Sequence, residues 1–319
     1  MMKWLLGQQP HCLITTWLNF ASLFCISAIT IGCTPTTDDH ASTITKSTSE
    51  PVVKKSLRVA VIPWQSVEEQ KTKLQPLANY LQKTIKQPII FQITKSYEDA
   101  VDLLATEQVD MGYLAPLTYI KCQERNPNIH PLVLPIDQIT GRPWYTAVIV
   151  ANSAQGIKSL KDLKGKRFGF VSPSSTSGFL MPMQAMKAQG IDPTRNFSGI
   201  RYSGSHDQAE TDLVNGVVDA IADDKASFLR SQKAGKLPTT NYKIIWESYP
   251  IPTAPIVINV KKFSPAALSQ LREALIDAPV GVVDVSGTKS AGYTLAKDAD
   301  FEQIRQIYQQ MKSVQIPAK

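Results

Sequence analysis

LRVAVIPWQSVEEQKTKLQPLANYLQKTIKQPIIFQITKSYEDAVDLLATEQVDMGYL, residues 57–114, decides the fold. It opens on a short apolar run, 57–63, that reads as a strand. From 68 to 85 the apolar side chains fall at Leu74, Leu77, Ala78, Leu81 and Ile85, the spacing of one helical face. Residues 89–94 return to strand character, 97–106 put Ala100, Val101 and Leu104 on one side of a helix, and 109–114 make a third strand. Strands alternating with helices imply mostly parallel sheets covered by helices.

The alternation runs on from there. A helix is expected over 116–125, strands over 132–135 and 145–151, then a strand at 167–171 followed by a helix over 178–189. Strands at 199–202, 218–222 and 242–247 are separated by helices at 206–215 and 226–232. After Pro250, Pro252 and Pro255 come a strand at 256–260 and helices at 265–277 and 300–312. Both halves share a format in which a strand and a helix lead to Val-Asp opening another strand, at Val109-Asp110 and Val218-Asp219. The body from Leu57 onward is about 260 residues, more than one typical domain, so two α/β lobes are the natural division.

The N-terminus sets the compartment. Lys3 precedes a run over 13–31 whose only strongly polar side chain is Asn19, and Thr30-Ile31-Gly32-Cys33 closes it. A positive start, an apolar middle and small residues before a cut describe a secretory signal over 1–32. Cysteine directly after the small residue suggests acylation of Cys33, although Thr30 stands where a lipobox prefers Leu. The alternative is a retained transmembrane helix, since 13–31 is just long enough to span. Both place the remainder outside the membrane. Residues 33–56, rich in Thr, Ser, Asp and Lys, read as a flexible tether.

Composition excludes several classes. Lys and Arg outnumber Asp and Glu 34 to 27, and the excess is scattered, with no basic stripe for nucleic acid. Cys12, Cys25 and Cys33 belong to the N-terminal segment, leaving Cys122 alone, so neither a disulfide nor a Cys/His metal set is expected.

Chemistry concentrates where strands run into helices. Gly169-Phe-Val-Ser-Pro-Ser-Ser-Thr-Ser-Gly178 offers Ser175, Thr176 and Ser177 at a helix start, where free N–H groups and the dipole favour an anion. An ordinary N-cap needs one such residue, not three. Gly178 is expected to let backbone approach a ligand. Tyr202-Ser-Gly-Ser-His206 adds a histidine that can donate to an anion, or a surface histidine behind a Ser205 cap. Asp223 and Asp224 at a strand end suit a ligand that keeps a P–OH proton, or cap the next helix. Tyr97 and Tyr145 are aromatics whose phenols can reach a cleft.

Together these segments resemble the phosphonate/phosphite-binding proteins of ABC importers, over nearly all of 57–311. The marks are Pro-Ser-Ser-Thr-Ser-Gly (173–178) with Leu180 and Pro182, Ser-Gly-Ser-His206, Val-Asp-Met-Gly-Tyr-Leu-Ala-Pro (109–116) and Gly-Arg-Pro-Trp-Tyr145. The resemblance implies a two-lobed type II periplasmic-binding-protein fold with the ligand in the interlobe cleft. It places lobe one at 57–143 plus 251–319, and lobe two at 144–250 with hinge strands near 145–151 and 247–250. It implies ligand contacts from Tyr97, Tyr145, Ser175, Thr176, Ser177 and His206, and from Asp224 with Asp223 as rival. Where aminoalkylphosphonate binders carry an Asp between prolines, this chain has Ala254 in Ile251-Pro-Thr-Ala-Pro255, which implies a ligand without an amine. Phosphite, methylphosphonate and phosphate remain.

The expectation is therefore an extracytoplasmic, lipid-anchored, monomeric binding component, without cofactor or metal, serving an ABC permease and its ATPase. A sensor subunit binding the same anion, a binder of sulfate or molybdate, and a phosphate-ester enzyme are the alternatives. The anchor has a direct test. Cys33→Ser should release the protein from membranes or leave an uncleaved precursor. Wild-type protein whose mass still includes residues 1–32 would instead indicate the transmembrane form.

Overall fold

In the computed structural model the described residues are 55–312, except 139 and 283. The signal over 1–32, Cys33 and all but the last two residues of the tether lie outside them, as do 313–319. The chain order is β1 (Leu57–Val61), α1 (Val67–Ile85), β2 (Ile89–Ile93), α2 (Tyr97–Ala105), β3 (Met111–Tyr113), α3 (Pro116–Arg125) and β4 (Ile129–Asp137). Then come β5 (Trp144–Tyr145), β6 (Ala147–Asn152), β7 (Arg167–Phe170), α4 (Met181–Ala188), α5 (Pro193–Asn196), β8 (Gly199–Tyr202) and α6 (His206–Val214). The rest is β9 (Ala220–Asp224), α7 (Lys225–Lys233), β10 (Tyr242–Glu247), β11 (Ile251–Pro252), β12 (Ile256–Asn259), α8 (Pro265–Ile276), β13 (Ser290–Leu295) and α9 (Glu302–Met311). None of these helices is long and apolar enough to cross a membrane.

Two sheets organise the α/β body. One has the order β13-β4-β12-β3-β1-β2 and the other β10-β6-β9-β7-β8. Pairing is parallel across β2-β1-β3 and β8-β7-β9. It is antiparallel where β12 joins β3 and β4, and where β6 joins β9 and β10. The sheets are thus more mixed than the alternation implied. The reason is that each sheet takes in, beside its parallel half, the strand that arrives from the other sheet. The two crossings meet in the short antiparallel ribbon β5·β11, with Tyr145 opposite Ile251. β6, in the segment expected to carry a hinge strand, is buried over Ala147–Ala151 inside the second sheet.

The repeated Val-Asp has a structural cause. Asp110 accepts the backbone N–H of Arg58 at 2.9 Å, and Asp219 that of Arg167 at 2.8 Å. Each aspartate returns its own N–H to the same arginine's carbonyl, both at 2.9 Å. β1 and β3 are clamped at their start just as β7 and β9 are. Asp219 also takes Arg167 Nη2 at 2.6 Å. Burial alone would raise the Asp219 carboxyl, and the Arg167 bonds reverse that, holding it below the usual range.

Lys262 adds to the first clamp, 3.1 Å from Asp110. Asp110→Ala and Asp219→Ala should each lower stability by about 1–3 kcal/mol, the scale of a hydrogen bond to a charged group. The effects should add in the double variant, since the clamps share no partner. Because the folded Asp219 carboxyl is depressed, its share is present above the unfolded pKa and is lost as pH falls through the folded one. Urea unfolding at neutral and acid pH measures both.

Candidate functional site

The polar residues singled out above, Tyr145 on the crossing ribbon apart, lie at carboxyl ends of strands or on the first turn beyond, where open α/β sheets hold ligands. The two ends face one another. Glu98 on α2 accepts from Ser174 Oγ at 2.8 Å, and Lys121 on α3 reaches Ser174 Oγ at 2.8 Å. On the other flank, Trp64, just beyond β1, donates Nε1–H toward Asp224 Oδ2 at 3.2 Å and Ser227 Oγ at 3.1 Å.

After β7 the chain does not enter an α-helix directly. Thr176–Leu180 form a π turn, with Leu180 N donating to Ser175 O at 3.1 Å, before α4 begins. Such turns are rare and often sit at sites. The role expected for Gly178 is corrected here. A Cβ on Gly178 would lie 2.4 Å from Val171 Cβ, so glycine lets the loop fold back on its own strand end rather than admit a ligand.

The three hydroxyls are not equivalent. Ser175 Oγ accepts Gly178 N–H at 3.0 Å, an ordinary cap. Thr176 Oγ1 accepts Leu117 N–H at 2.9 Å. Helix α3 has Ala115 as its N-cap residue and no side-chain cap there, so Thr176 supplies the missing acceptor from across the cleft. Ser177 Oγ is buried and has no partner.

The same orphan state marks Tyr97 Oη, Tyr145 Oη and His206 Nε2. The Tyr97 phenol lies close enough to Ser175, and the Tyr145 phenol to Ser177 and Thr176, to feel those hydroxyls electrostatically. Yet Tyr97 Oη, Tyr145 Oη and Ser177 Oγ lack the geometry of a hydrogen bond. Both phenols feel Asp224. Burial pushes both phenols above their ordinary value, so they remain protonated donors. Buried polar groups without partners cost about 1–3 kcal/mol each. Four of them gathered around Asp224 make a cluster of groups able to hydrogen-bond to oxygen atoms.

His206 opens α6 behind its Ser205 cap, whose Oγ accepts Gln208 N–H at 3.2 Å. It is 1% exposed, and Trp64 stacks on its ring at 4.4 Å between centroids and 18° between planes. The surface-histidine alternative is thereby removed. His206 Nδ1 lies 2.6 Å from Asp223 Oδ1 and 3.5 Å from Asp224 Oδ2. The expected strand at 218–222 is displaced to Ala220–Asp224, so both aspartates end β9 and alternate in direction. Asp223 turns to α6, while Asp224 turns to Trp64, Ser227 and the cleft. The three groups offer ligand atoms within 4.8 Å of one another, close enough for a metal ion. Their facing atoms are engaged with each other, with Trp64 and with Ser227, a hydrogen-bond network rather than an open ligand set.

Beside these groups lies a small cavity of about 20 Å³, walled by Trp64, Tyr145, Asp224 and Ala254. The sequence reading gave Ala254 no acidic neighbour. The cavity wall also includes Asp137 and Asp284, from the ends of β4 and the loop before β13. Burial pushes the Asp284 carboxyl up to about 6, against bonds from Ser286 and Thr288. Nothing in the local pattern around Asp284 signalled this. Trp64 could have been found by the same carboxyl-end rule that found the others.

Comparison with known proteins follows the same line. Residues 59–307 match the family model described as ABC transporter, phosphonate, periplasmic substrate-binding protein. The chain is 24% identical over 282 residues to the phosphate-import protein PhnD of Mycolicibacterium smegmatis, spanning 82% of this chain and 88% of that one. It is 28% identical over 200 residues to a probable ABC transporter phosphite binding protein, PhnD1, of Prochlorococcus marinus, spanning 60% and 66%. The solved structure of PhnD1 from Prochlorococcus marinus in complex with methylphosphonate superposes with a TM-score of 0.73 at 22% identity, covering 82% of this chain and 99% of that one. That likeness fixes the two-lobed fold.

The unequal hydroxyls make a stability test that needs no ligand. Ser177→Ala should unfold at the same or higher urea concentration than wild type, since it deletes a buried hydroxyl that bonds to nothing. Thr176→Val should lose about 1 kcal/mol, because Leu117 N–H then lacks its acceptor. Equal losses in both variants would mean that Ser177 has a structural partner.

Proposed function

Because the chain belongs to the family of periplasmic phosphonate-binding proteins of ABC transporters, we propose that it is the extracytoplasmic binding component of an importer for a small phosphorus oxyanion: phosphite, methylphosphonate or phosphate. The observation that carries this is the set of four buried, unpartnered polar atoms on Tyr97, Tyr145, Ser177 and His206. Ser175 and Thr176 each accept one hydrogen bond through oxygen and keep a hydroxyl proton to donate. Asp224 faces the cleft and takes a ligand hydroxyl, since a carboxylate repels an oxyanion's lone pairs. Asp223, the rival, is turned into α6.

The family consists of transporter binding proteins, which supports binding rather than catalysis. A nucleophilic serine needs an adjacent base, and Ser177 Oγ has no hydrogen-bond partner. We place the permease and its ATPase as partners, Cys33 as the lipid anchor, and a monomer as the working form. The anion would draw the two strand-end faces together, shifting the population toward the closed arrangement that a permease reads.

The cavity beside Ala254 sets selectivity by size rather than by want of an acid. At about 20 Å³ it has room for roughly one water-sized group. Titration calorimetry should therefore show phosphite, methylphosphonate and phosphate binding more tightly than aminoethylphosphonate, by at least about tenfold, the scale of one misplaced methylene. Ser177→Ala and Tyr97→Phe should each weaken the small anions by about one to two decades, from about 1.5–3 kcal/mol per charge-assisted bond. Failure of all three small anions to bind at millimolar concentration would overturn the assignment.

A further inference from the structure

His206 presents two nitrogens to two different surroundings. Nδ1 faces Asp223 Oδ1 at 2.6 Å, and Nε2 is buried with no partner. Which nitrogen carries the ring proton is decided by Asp223. Its Oδ1 already accepts the backbone N–H of Asp224 at 2.8 Å, so this oxygen is committed as an acceptor. With Asp223 ionised, the 2.6 Å contact puts the ring hydrogen on Nδ1. A neutral imidazole with Nδ1–H carries a lone pair, not a proton, at Nε2. An oxyanion set against that lone pair would be repelled.

The other side of Asp223 completes the chain. Asp223 Oδ2 and Glu210 Oε1 are both buried acceptors without a conventional partner, and the two carboxyl groups are neighbours. One proton between them resolves both. Glu210 is the group that holds it, pushed up to about 8 by burial and then by the Asp223 charge. Its other oxygen is engaged by Ser231 and by Lys236 at 3.1 Å. Burial and then the Asp224 charge push the Asp223 carboxyl up as well. Against this, the Asp224 N–H on Oδ1, Arg230 and a Glu210 proton shared with Oδ2 all favour its ionised form facing the ring.

Resting on the oxyanion site assigned above, we propose that His206 binds the anion only as an imidazolium, taking up one proton at Nε2 as the anion enters, with Asp223 the positioning residue that assigns the first proton to Nδ1. The charged and titratable groups around the ring are Asp207 and Glu210 on α6, Asp223 and Asp224 on β9, and Arg230 on α7, with the neutral Trp64 on one face. Burial holds the free imidazole below its ordinary value, against the pull of Asp224, so near neutral pH the free ring is uncharged. The bound anion supplies the charge that raises it. The proton comes from solvent, and one N–H bond forms while none breaks in the protein.

Calorimetric titration of the full chain with phosphite at pH 7.5–8, in buffers of different ionisation heat, counts the protons exchanged. Wild type should take up about one proton more per anion than His206→Gln, whose amide donates without titrating. Above the free pKa of His206 the wild-type affinity should fall about tenfold more per pH unit than that of the variant. Equal proton counts in the two proteins would overturn the proposal. No phosphite binding by wild type at any pH would instead overturn the oxyanion assignment beneath it. Histidine ring ¹⁵N spectra of wild type need no variant. A buried histidine should show the neutral Nδ1–H tautomer without ligand and the imidazolium with phosphite. An Nε2–H already present in the free protein would sink the idea. Asp223→Asn should reduce affinity at pH 8 by more than tenfold yet much less at pH 6, and a uniform loss at both would mark Asp223 as merely structural.

Discussion

A buried polar group that bonds to nothing costs a folded chain about 1–3 kcal/mol. This protein keeps Tyr97, Tyr145, Ser177 and His206 Nε2 in that condition within one region. The surrounding architecture makes sense as what holds them there. Tyr97 and His206 are pinned by serine caps at the first turn of α2 and α6, Ser177 by a π turn, and Tyr145 by a two-stranded ribbon. Each device fixes backbone at a strand end without using the side chain that points into the cleft.

The two lobes solve this problem twice with one plan. Ser96-Tyr97 follows β2 as Ser205-His206 follows β8, and both serines cap through the third residue onward, at 3.0 and 3.2 Å. The Asp110 and Asp219 clamps fix the far end of the corresponding strand pairs. A phenol in one lobe and an imidazole in the other therefore occupy equivalent places at a helix start. The symmetry ends at the chemistry, because only the second lobe carries the Ser-Thr-Ser loop and the carboxylates of β9.

Most of the fold was legible because buried strands and amphipathic helices have periods that short windows reveal. The helices over 67–85, 97–105 and 116–125 and the strands of both parallel halves fall within a few residues of where spacing put them. β13 was missed because Ser-Ala-Gly-Tyr-Thr-Leu has neither an apolar run nor clean alternation, and its pairing with β4 is irregular. The site residues were legible by type, since hydroxyls in excess of a cap are visible in sequence. Their states were not. Whether a serine caps its own turn, caps a helix across the cleft or stands free depends on contacts 59 residues away, as Thr176 with Leu117 shows. The acid beside Ala254 was invisible for the same reason, because Asp284 reaches the cavity from a loop with no pattern of its own.

Among the described residues the two strand-end faces are joined by the Trp64–His206 stack and by a series of hydrogen bonds. Thr176 with Leu117, Thr118 with Ser174, Glu98 with Ser174, Trp64 with Asp224 and Arg230 with Thr288 are the principal ones. Each exchanges for water at a net of about 0.5–1.5 kcal/mol. A large apolar seam would hold the faces shut regardless of ligand, and a bare one would leave nothing to align them. A short series of modest hydrogen bonds does neither. It sets the register of closure while leaving its free energy near balance, so a ligand with several charge-assisted bonds, each about twice as strong as a neutral one, decides the outcome. The Thr176 hydroxyl belongs to both sets, accepting from α3 through oxygen and offering its proton to the cluster. On the proposed assignment, closing the cleft and completing the anion site would be one event at that atom.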